Sequence, residues 1–413
     1  MIAAPLRAGN DLPRDAWLKL QTRAVFDFCK WDIQCEDRSV LAPFPLLLEH
    51  ETASYLNRTA ETLAREAFTA ETEILELPEL LTRLGLPRAI RKVLQKNAGN
   101  VPLAEALRVM RFDFHLTPEG WRISEVNADV PGGFIEASGW NSLFAENCPG
   151  TSAPPAPSKI YAEAIREATG PNGLVALVHA TAYSDDRQVM QHLARCFSMH
   201  GLRSYLLSPS HLRWFDGRAE IRANFASGQP DAIVRFFPAE WLPNLASKKC
   251  WKPYFQESKT PLSNPGAAIV LQTKRFPLAW EALHADLSVW RRLLPETVEL
   301  SGIETTLDDS WVLKPALGRV GEGIGICGIT APGNFQRIVR EAYRRPEEWV
   351  AQKRFAILPL STDGGEKFPC IGVFTIGGKA AGFYGRIADS PIITQHAQDV
   401  AVLVKDMPEG RTM

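Results

Sequence analysis

The stretch WVLKPALGRVGEGIGI, from Trp311 to Ile326, restricts the possible folds more than any other part of the 413-residue chain. An apolar strand pattern bearing Lys314 runs into a glycine-rich turn, and a second strand pattern follows. The glycines are Gly318, Gly321, Gly323 and Gly325. They let backbone N–H groups approach an anion closely. Since no GK[ST] and no helix follows, the loop is neither a Walker A motif nor a dinucleotide-binding fingerprint. It predicts a flap over an anionic ligand, with a purely structural glycine turn as the alternative.

A second set of polar residues lies on two neighbouring strand patterns, RVMRFDFHL and WRISEVNA. Arg111 and Asp113 are two residues apart, as are Glu125 and Asn127, so each pair points to one face of its strand. Residues 117–120 form a hairpin-compatible turn between the strands. Pairing would place two carboxylates and an amide side by side, an all-oxygen set suited to Mg²⁺ with bound phosphates. The alternative is a solvated face of an antiparallel sheet, which needs no ligand.

The region before this hairpin has the spacing of helices. From Leu46 to Leu107 apolar residues recur at intervals of three and four, which predicts a helical layer. The stretch NCPGTSAPPAPS, from Cys148 to Ser158, predicts a linker because its prolines continue neither helix nor strand.

The middle of the chain alternates strand and helix patterns between about residues 172 and 262. The strand patterns are GLVALVHA, RSYLLSP and DAIVRFF, and a helix that we expect Ser184 to cap lies between the first two. This order predicts a small parallel α/β lobe. Asp185 and Asp186 in the first helical turn complement the helix dipole, or else form a lip that attracts an amine.

The last third of the chain is predicted to build a nucleotide lobe and to return to a central sheet. After Lys274 the pattern FPLAWEALHADLSVWRRLL predicts one helix, and three further strand patterns follow Glu347. Lys274 and Lys314 are the cations expected near the glycine loop, although solvated lysines are commoner than functional ones.

Composition excludes several classes of function. The net charge of −1 provides no basic field for holding a nucleic acid. No apolar stretch has the roughly 18 residues of a membrane span or the form of a signal peptide, so we expect a cytoplasmic protein. Seven scattered cysteines without CxxC pairs predict reduced thiols, and the histidines contain no zinc motif. Any metal should therefore have oxygen ligands.

Together these segments resemble the synthetase domain of glutathionylspermidine synthase, a circularly permuted ATP-grasp family. The Arg-x-Asp and Glu-x-Asn-x-Asp motifs are similar to residues 111–113 and 125–129, and the loop Lys-Pro-x-x-Gly-Arg-x-Gly to residues 314–321. A lysine before a Leu/Pro-Trp helix is similar to Lys274, and a late Gly-x-Arg strand to Arg386. The resemblance spans about residues 100 to 400.

The resemblance implies a mixed α/β (α+β) fold: an ATP-grasp fold with a mixed or antiparallel catalytic sheet, a small parallel α/β lobe and a nucleotide lid lobe. The implied units are residues 1–165, a helical layer plus the metal-ligand hairpin; 166–262, a pre-ATP-grasp-like substrate lobe; 263–358, the lid lobe; and 359–413, a return to the catalytic sheet.

The resemblance also implies a role for each matched residue. Asp113, Glu125 and Asn127 would bind two Mg²⁺ ions. Lys274, Lys314, Gly318, Gly321, Gly323 and Gln352 would bind ATP, with Gln352 near the adenine and the glycine loop as a lid. Arg111 and Arg386 would be catalytic, because they would hold the transferring phosphoryl group and the acyl-phosphate.

The implied function is an ATP-dependent carboxylate–amine ligase that acts through an acyl-phosphate. Its partners would be a small-molecule or peptide carboxylate and an amine, with no nucleic acid and no membrane. Asp129 or water would take the amine proton. The alternatives are a phosphotransferase on the same scaffold and a non-catalytic nucleotide-binding protein. No separate amidase domain is present in the 413 residues, and the substrates and oligomeric state stay open.

Overall fold

The computed structural model describes residues 4–98, 107–302, 308–319 and 321–407. Its α-helices are α1 (Arg14–Phe28), α2 (His50–Glu76), α3 (Arg88–Lys96), α4 (Asn141–Ala145), α5 (Pro157–Thr169), α6 (Ser184–Met199), α7 (Lys248–Trp251), α8 (Ile269–Gln272), α9 (Ser288–Leu293) and α10 (Pro332–Arg344). Its strands are β1 (Leu6–Ala8), β2 (Gln34–Cys35), β3 (Arg38–Ser39), β4 (Leu41–Leu48), β5 (Val109–Thr117), β6 (Gly120–Asn127), β7 (Thr151–Ser152), β8 (Leu174–Val178), β9 (Arg203–Leu207), β10 (Leu212–Phe215), β11 (Arg218–Ala223), β12 (Ala226–Gly228), β13 (Ala232–Arg235), β14 (Leu262–Ser263), β15 (Thr297–Val298), β16 (Trp311–Pro315), β17 (Gly325–Ile326), β18 (Trp349–Lys353), β19 (Leu360–Thr362), β20 (Gly365–Ile376), β21 (Lys379–Ala388) and β22 (Gln398–Lys405).

A mixed sheet forms the centre of the molecule, with strand order β1-β4-β22-β21-β20-β5-β6. Strands β22 and β4 run parallel, whereas the other neighbours along this path are antiparallel. Strand β20 shows why both faces are covered, since Val373 packs into the cluster that contains α2 while Phe374 packs into the cluster that contains α5. Alternating side chains of a strand point to opposite faces, so a run of apolar residues indicates burial on both.

The predicted small parallel lobe is confirmed as a four-stranded sheet of order β14-β13-β8-β9, in which all neighbours are parallel. Helix α6 connects β8 to β9. An antiparallel sheet, β10-β11-β12, follows β9, and it was not predicted from the sequence.

A second four-stranded sheet, β15-β18-β16-β17, carries the glycine loop between β16 and β17. Lys314 lies on β16 and pairs with Val350 on β18. Helix α10 packs against this sheet through Ile338. The mixed α/β architecture agrees with the predicted fold class, while the four unit boundaries stay a prediction.

Several local predictions differ from the structure, the first of them at the start of the predicted helical layer. Leu46, Leu47 and Leu48 belong to the buried strand β4, and the helix begins only at His50. A short apolar run is compatible with the periodicity of a helix or of a strand, and here its burial within the sheet favours the strand. The C-terminal end of the predicted helical layer, residues 99–106, lies outside the described residues.

The helix predicted after Lys274 is two separate pieces, a 3-10 helix at Phe276–Ala282 and the short helix α9. The carboxylate of Glu66 on α2 accepts the backbone N–H groups of Val289 and Trp290 at 3.2 Å. An acceptor at these N–H groups stabilises the start of a separate helix. Because the acceptor lies on α2, the sequence of residues 275–294 alone does not predict this helix start.

The predicted linker at residues 148–158 is partly ordered against the main sheet. Strand β7 pairs with β22, and α5 already begins at Pro157, a favourable residue for the first helical position. Ser184 is the first residue of α6, and Tyr183 occupies the cap position instead. In the described residues we find no helix with the length and apolarity to cross a membrane.

Candidate active site

The hairpin β5–β6 brings the four predicted polar residues together. Asp113 pairs with Glu125 and Arg111 with Asn127 across the two strands, so all four side chains share one face. A β-bulge follows Asp113, and such irregularities often redirect side chains at sites. Asp113 is only 7% exposed. Asp113 is therefore enclosed, whereas Arg111, Glu125 and Asn127 on the same face are partly exposed.

Arg111 and Asp113 form a two-pronged ion pair. Arg111 donates from Nε and Nη2 to the two carboxylate oxygens at 2.7 and 2.9 Å, and from Nη1 to the carbonyl of Gly132 at 2.6 Å. Asn127 donates its amide N–H to Asp113 at 3.1 Å. Burial alone would lower the pKa of Arg111, but the Asp113 charge raises it above its ordinary value. Arg111 is thus a permanent cation facing the cavity.

Glu125 forms an ion pair with Lys274 and also feels the positive charge of Lys314. Lys274 lies 3.0 Å from a Glu125 oxygen, and it also donates to the carbonyl of Gly318 at 2.8 Å. Burial alone would raise the pKa of Glu125, but the positive charges of Lys274 and Lys314 lower it to about 2. This carboxylate is ionised at every physiological pH.

Lys314 and Gln352 interact on neighbouring strands of the sheet β15-β18-β16-β17, which lies in the predicted lid lobe and is called the lid sheet below. Lys314 donates to the Gln352 side-chain oxygen at 2.6 Å and to the carbonyl of Ser124 at 3.1 Å. Burial lowers the pKa of Lys314 to about 8, with Glu125 opposing this shift and Lys274 adding to it. Gln352 in turn donates to the hydroxyl of Thr297 at 2.9 Å.

Arg386 lies on β21, opposite Asp399 on β22. Its Nη2 group donates to the carbonyls of Thr394 and Ala397 at 2.9 and 3.1 Å, and its buried Nε has no hydrogen-bond partner among the described residues. Burial alone would lower the pKa of Arg386, but Tyr384 and Asp399 raise it. Part of this guanidinium is therefore unsatisfied inside the site.

One cavity of about 830 Å³ unites nearly all of these groups. Of the predicted residues, those that line it are Arg111, Asp113, Glu125, Asn127, Lys274, Lys314, Gly318, Gly321, Gln352 and Arg386. Gly323 is not among the described lining residues; its backbone has φ +72°, and it packs beside Pro315. The sequence prediction therefore selected groups that converge in space, with one exception.

The glycine loop closes tightly over this cavity. A Cβ atom on Gly321, whose φ is +69°, would lie 2.3 Å from the carbonyl oxygen of Ile393. Arg319 donates to the two oxygens of Glu240 at 2.8 and 2.9 Å, and to Asp129 at 3.3 Å. Arg319 occurs in the quoted loop motif, but the sequence reading assigned it no role.

Three further acidic residues near the glycine loop and on α6 have two different environments. Asp129 is fully buried, and Arg235, Arg319 and the backbone N–H of Ala239 all donate to it; it is not among the described lining residues. Asp185 and Asp186 do line the cavity, and burial raises the pKa of Asp186 to about 6. The helix-dipole and cavity-lip interpretations of these two residues are compatible.

Further lining residues had little sequence signal. Tyr384 shares a strand face with Arg386 two residues later, so the period of two could have identified it. Lys30, Glu136 and Asp399 come from distant parts of the chain and carried no motif.

The donor set fits a magnesium–nucleotide complex, although no preformed cluster of three metal-binding side chains occurs in the described residues. Asp113, Glu125 and Asn127 provide oxygen donors only, which Mg²⁺ prefers, and substrate phosphates usually complete its coordination. The buried cations Lys274 and Lys314 lie beside Glu125, where phosphate charge would be neutralised.

Comparisons with known proteins bear on the family and the fold of the chain. The family described as glutathionylspermidine synthase preATP-grasp matches residues 13–405. A glutathione synthetase-like effector from Globodera pallida superposes with a TM-score of 0.64 at 11% identity, covering 95% of this chain and 98% of that one. A putative gamma-glutamylcysteine synthetase from Methylobacillus flagellatus has a TM-score of 0.43 at 14% identity, covering 79% of this chain and 87% of that one. No curated protein sequence matches.

Proposed function

Because the chain belongs to the glutathionylspermidine synthase preATP-grasp family, we propose that it is an ATP- and Mg²⁺-dependent ligase. The terminal phosphoryl group of ATP passes to a carboxylate and ADP is released; an amine then attacks the acyl-phosphate, forming the amide and releasing inorganic phosphate. Membership of a synthase family supports the ligase class. The finer reaction rests on the residues of the cavity.

One observation carries this proposal: the cavity gathers four cations, one buried and three partly buried, around a carboxylate–amide hairpin. Arg111, Lys274, Lys314 and Arg386 all line it, and their side chains come from three different sheets or loops. Burying so many like charges is unfavourable unless anions compensate them. The hairpin carboxylates supply part of that compensation, and a bound triphosphate would supply the rest.

Asp113, Glu125 and Asn127 would hold the magnesium, which supplies Lewis-acid neutralisation of phosphate charge when bound. Lys274 and Lys314 would then bind phosphate oxygens that are already charged in the ground state. Their contacts to Glu125 and Gln352 keep both ammonium groups in the cavity. Gln352 lies on the lid sheet, where a side-chain amide can bind the nucleotide base.

Arg111 and Arg386 would act on the transferring phosphoryl group. Phosphoryl transfer depends mainly on positioning and on neutralising moving charge, and preorganised cations do this at low reorganisation cost. Arg111 is oriented by Asp113, and Arg386 by two backbone carbonyls. No protein nucleophile is required, because the acyl-phosphate is attacked by the amine.

Asp185 and Asp186 support an amine acceptor rather than a second anion where they line the cavity. Both carboxylates face it from the first turn of α6. Asp129 is committed to ion pairs with Arg235 and Arg319, so we propose that water takes the amine proton.

The decisive experiment is an ADP-release screen in which acids and amines are added singly and in pairs, including glutathione, spermidine, amino acids and short peptides. A ligase needs both partners for turnover. ADP release with one acid alone and a stable phosphorylated product would identify a phosphotransferase instead. The variant Arg386→Ala, purified in parallel, reports any contaminating ATPase. If neither nucleotide binding nor turnover occurred with any pair, the proposed function would be rejected.

A further inference from the structure

A buried cluster of charged residues lies beside the predicted catalytic groups, and the proposed reaction gives this cluster no role. Lys30, which is 2% exposed, places its ammonium 2.9 Å from Asp32, 2.5 Å from Glu136 and 2.9 Å from Asp399. These carboxylates come from the chain after α1, from a turn before α4 and from β22. All four residues line the same cavity.

Asp399 is the junction of this cluster with the site. Its Oδ2 accepts from Lys30, while its Oδ1 accepts from the Tyr384 hydroxyl at 2.6 Å. The same Oδ1 lies 3.9 Å from Nε of Arg386, the guanidinium nitrogen that lacks a hydrogen-bond partner among the described residues. Because each oxygen of Asp399 accepts a hydrogen bond, the orientation of its carboxylate group is fixed.

Tyr384 extends this junction to the second arginine. The Arg111 guanidinium carbon lies 4.8 Å from the centre of the Tyr384 ring, a distance suited to a cation–π interaction. Gly133, with φ +95°, packs against the same ring so closely that a Cβ would lie 2.8 Å from it. The ring is thus held by packing and its hydroxyl by Asp399.

We propose, resting on the proposed function, that Asp399 and Tyr384 are positioning residues that set the guanidinium groups of Arg386 and Arg111 relative to the transferring phosphoryl group, with Lys30 as the buried counter-ion of Asp399. The charge of Lys30 keeps Asp399 ionised next to two other carboxylates. An ionised Asp399 accepts the Tyr384 hydroxyl and attracts the Nε edge of Arg386. Because Nη2 already donates to the carbonyls of Thr394 and Ala397, this arrangement leaves Nη1 for the transferring phosphoryl group.

Tyr384→Phe is the sharpest test, because it removes only the hydroxyl that reaches Asp399 and retains the ring under Arg111. The matched control is Tyr161→Phe, which removes another buried tyrosine hydroxyl. That hydroxyl is hydrogen-bonded to the hydroxyl of Ser263 at 2.5 Å, and Tyr161 is not among the described lining residues of the cavity. The probes are Mg·ADP alone and Mg·ADP with aluminium fluoride, a mimic of a phosphoryl group in transfer. Transition-state mimics detect the alignment of charge-stabilising groups more sharply than ground-state ligands do.

Wild type should bind Mg·ADP more tightly when fluoride is present. Tyr384→Phe should keep its affinity for Mg·ADP. Its gain in affinity on adding aluminium fluoride should be about tenfold smaller than that of wild type, as expected for a misplaced electrostatic donor. Tyr161→Phe should retain the full gain. In the Arg386→Ala background, Tyr384→Phe should cause little further loss, since it acts through that arginine.

Two results with the variants would overturn the inference while leaving the proposed function standing. One is a full fluoride-dependent gain in Tyr384→Phe, and the other is an equal loss in Tyr161→Phe, which would indicate a general packing effect. A wild-type protein that bound Mg·ADP without any fluoride-dependent gain would also reject the positioning role. A wild-type protein that did not bind Mg·ADP at all would reject the proposed function itself.

Discussion

At the level of single residues, the cavity matches carboxylates with cations one by one. Asp113 pairs with Arg111, and Glu125 pairs with Lys274. Lys314 is different, because its closest partners are a side-chain amide and a backbone carbonyl. An ammonium group that is buried mainly among neutral acceptors loses solvation without full compensation, and its pKa falls.

The lowered pKa of Lys314 predicts proton uptake on nucleotide binding. The group titrates at about 8 in the folded protein, so a growing fraction is neutral as the pH rises above that value. Phosphate binding favours the charged form and should raise the pKa. Affinity for Mg·ATP should therefore fall as the pH rises from about 8 to about 10, and calorimetry in buffers of different ionisation enthalpy at pH 8.5 should detect net proton uptake.

Lys314→Met provides the control for this measurement. The uptake should disappear in that variant, whereas Lys159→Met, which changes an exposed lysine on α5, should retain it. Uptake of the same size in Lys314→Met would assign the titration to another group. Lys314 also affects the free energy of unfolding. Because its pKa is lower in the folded than in the unfolded protein, its contribution to stability rises with pH between about 8 and 10.5.

Arg386 should affect chemistry more than binding. Its guanidinium is expected to meet charge that develops as the phosphoryl group moves, so Arg386→Ala should lower kcat by about 10²–10³-fold while nucleotide affinity is nearly kept. Steady-state kinetics with the acid–amine pair from the screen, together with Mg·ADP calorimetry, measure the two effects. Arg337→Ala on the surface of α10 is the control. Normal turnover, or failure to bind nucleotide, would contradict the catalytic assignment.

At the level of elements, the glycine loop is joined to the small lobe by a specific latch. Arg319 is held by Glu240, which follows β13, and it also stacks near the Trp241 ring. The loop therefore combines a glycine-rich backbone, whose open state has high entropy, with a charged anchor at Arg319. Opening of such a segment is a local equilibrium rather than global unfolding.

Glu240→Gln should weaken this latch and expose the peptide bond after Arg319 to trypsin. Loss of a charge-assisted contact of about 1 kcal/mol should raise the rate of cleavage there about fivefold. Mg·ATP should slow cleavage in both proteins, because a lid closes over its ligand. The control is Glu281→Gln, which alters a surface ion pair with Arg291. Cleavage that neither the substitution nor Mg·ATP changed would favour a rigid structural turn.

At the level of the whole molecule, Lys30 connects segments that are far apart in sequence. Its ammonium contacts Asp399, 369 residues away, as well as Asp32 and Glu136. Burial alone would lower the pKa of Lys30, but the three carboxylates raise it well above its ordinary value. The cluster fixes the end of α1 against the central sheet next to the cavity.

Lys30→Met should destabilise the fold strongly, because it leaves carboxylates buried without a cation. Removing one partner of a buried ion pair typically costs about 3–5 kcal/mol in the free energy of unfolding. Urea unfolding followed by tryptophan fluorescence measures this change. Lys159→Met, an exposed ion-pair variant, should differ from wild type by less than about 1 kcal/mol. A similar small change in Lys30→Met would show that the cluster is held by other contacts.

The sequence by itself determined the local chemistry of this protein. The period of two placed Arg111 and Asp113 on one strand face, and the turn before Gly120 placed Glu125 opposite them, because hairpin pairing is a local property. The βαβ pattern likewise predicted the parallel sheet of the small lobe. Only the tertiary structure decided that Leu46 extends a buried strand, and that the cavity includes Lys30, Tyr384 and Asp399. Those outcomes depend on contacts between remote segments, whose burial and charge pairing leave no periodic signal along the chain.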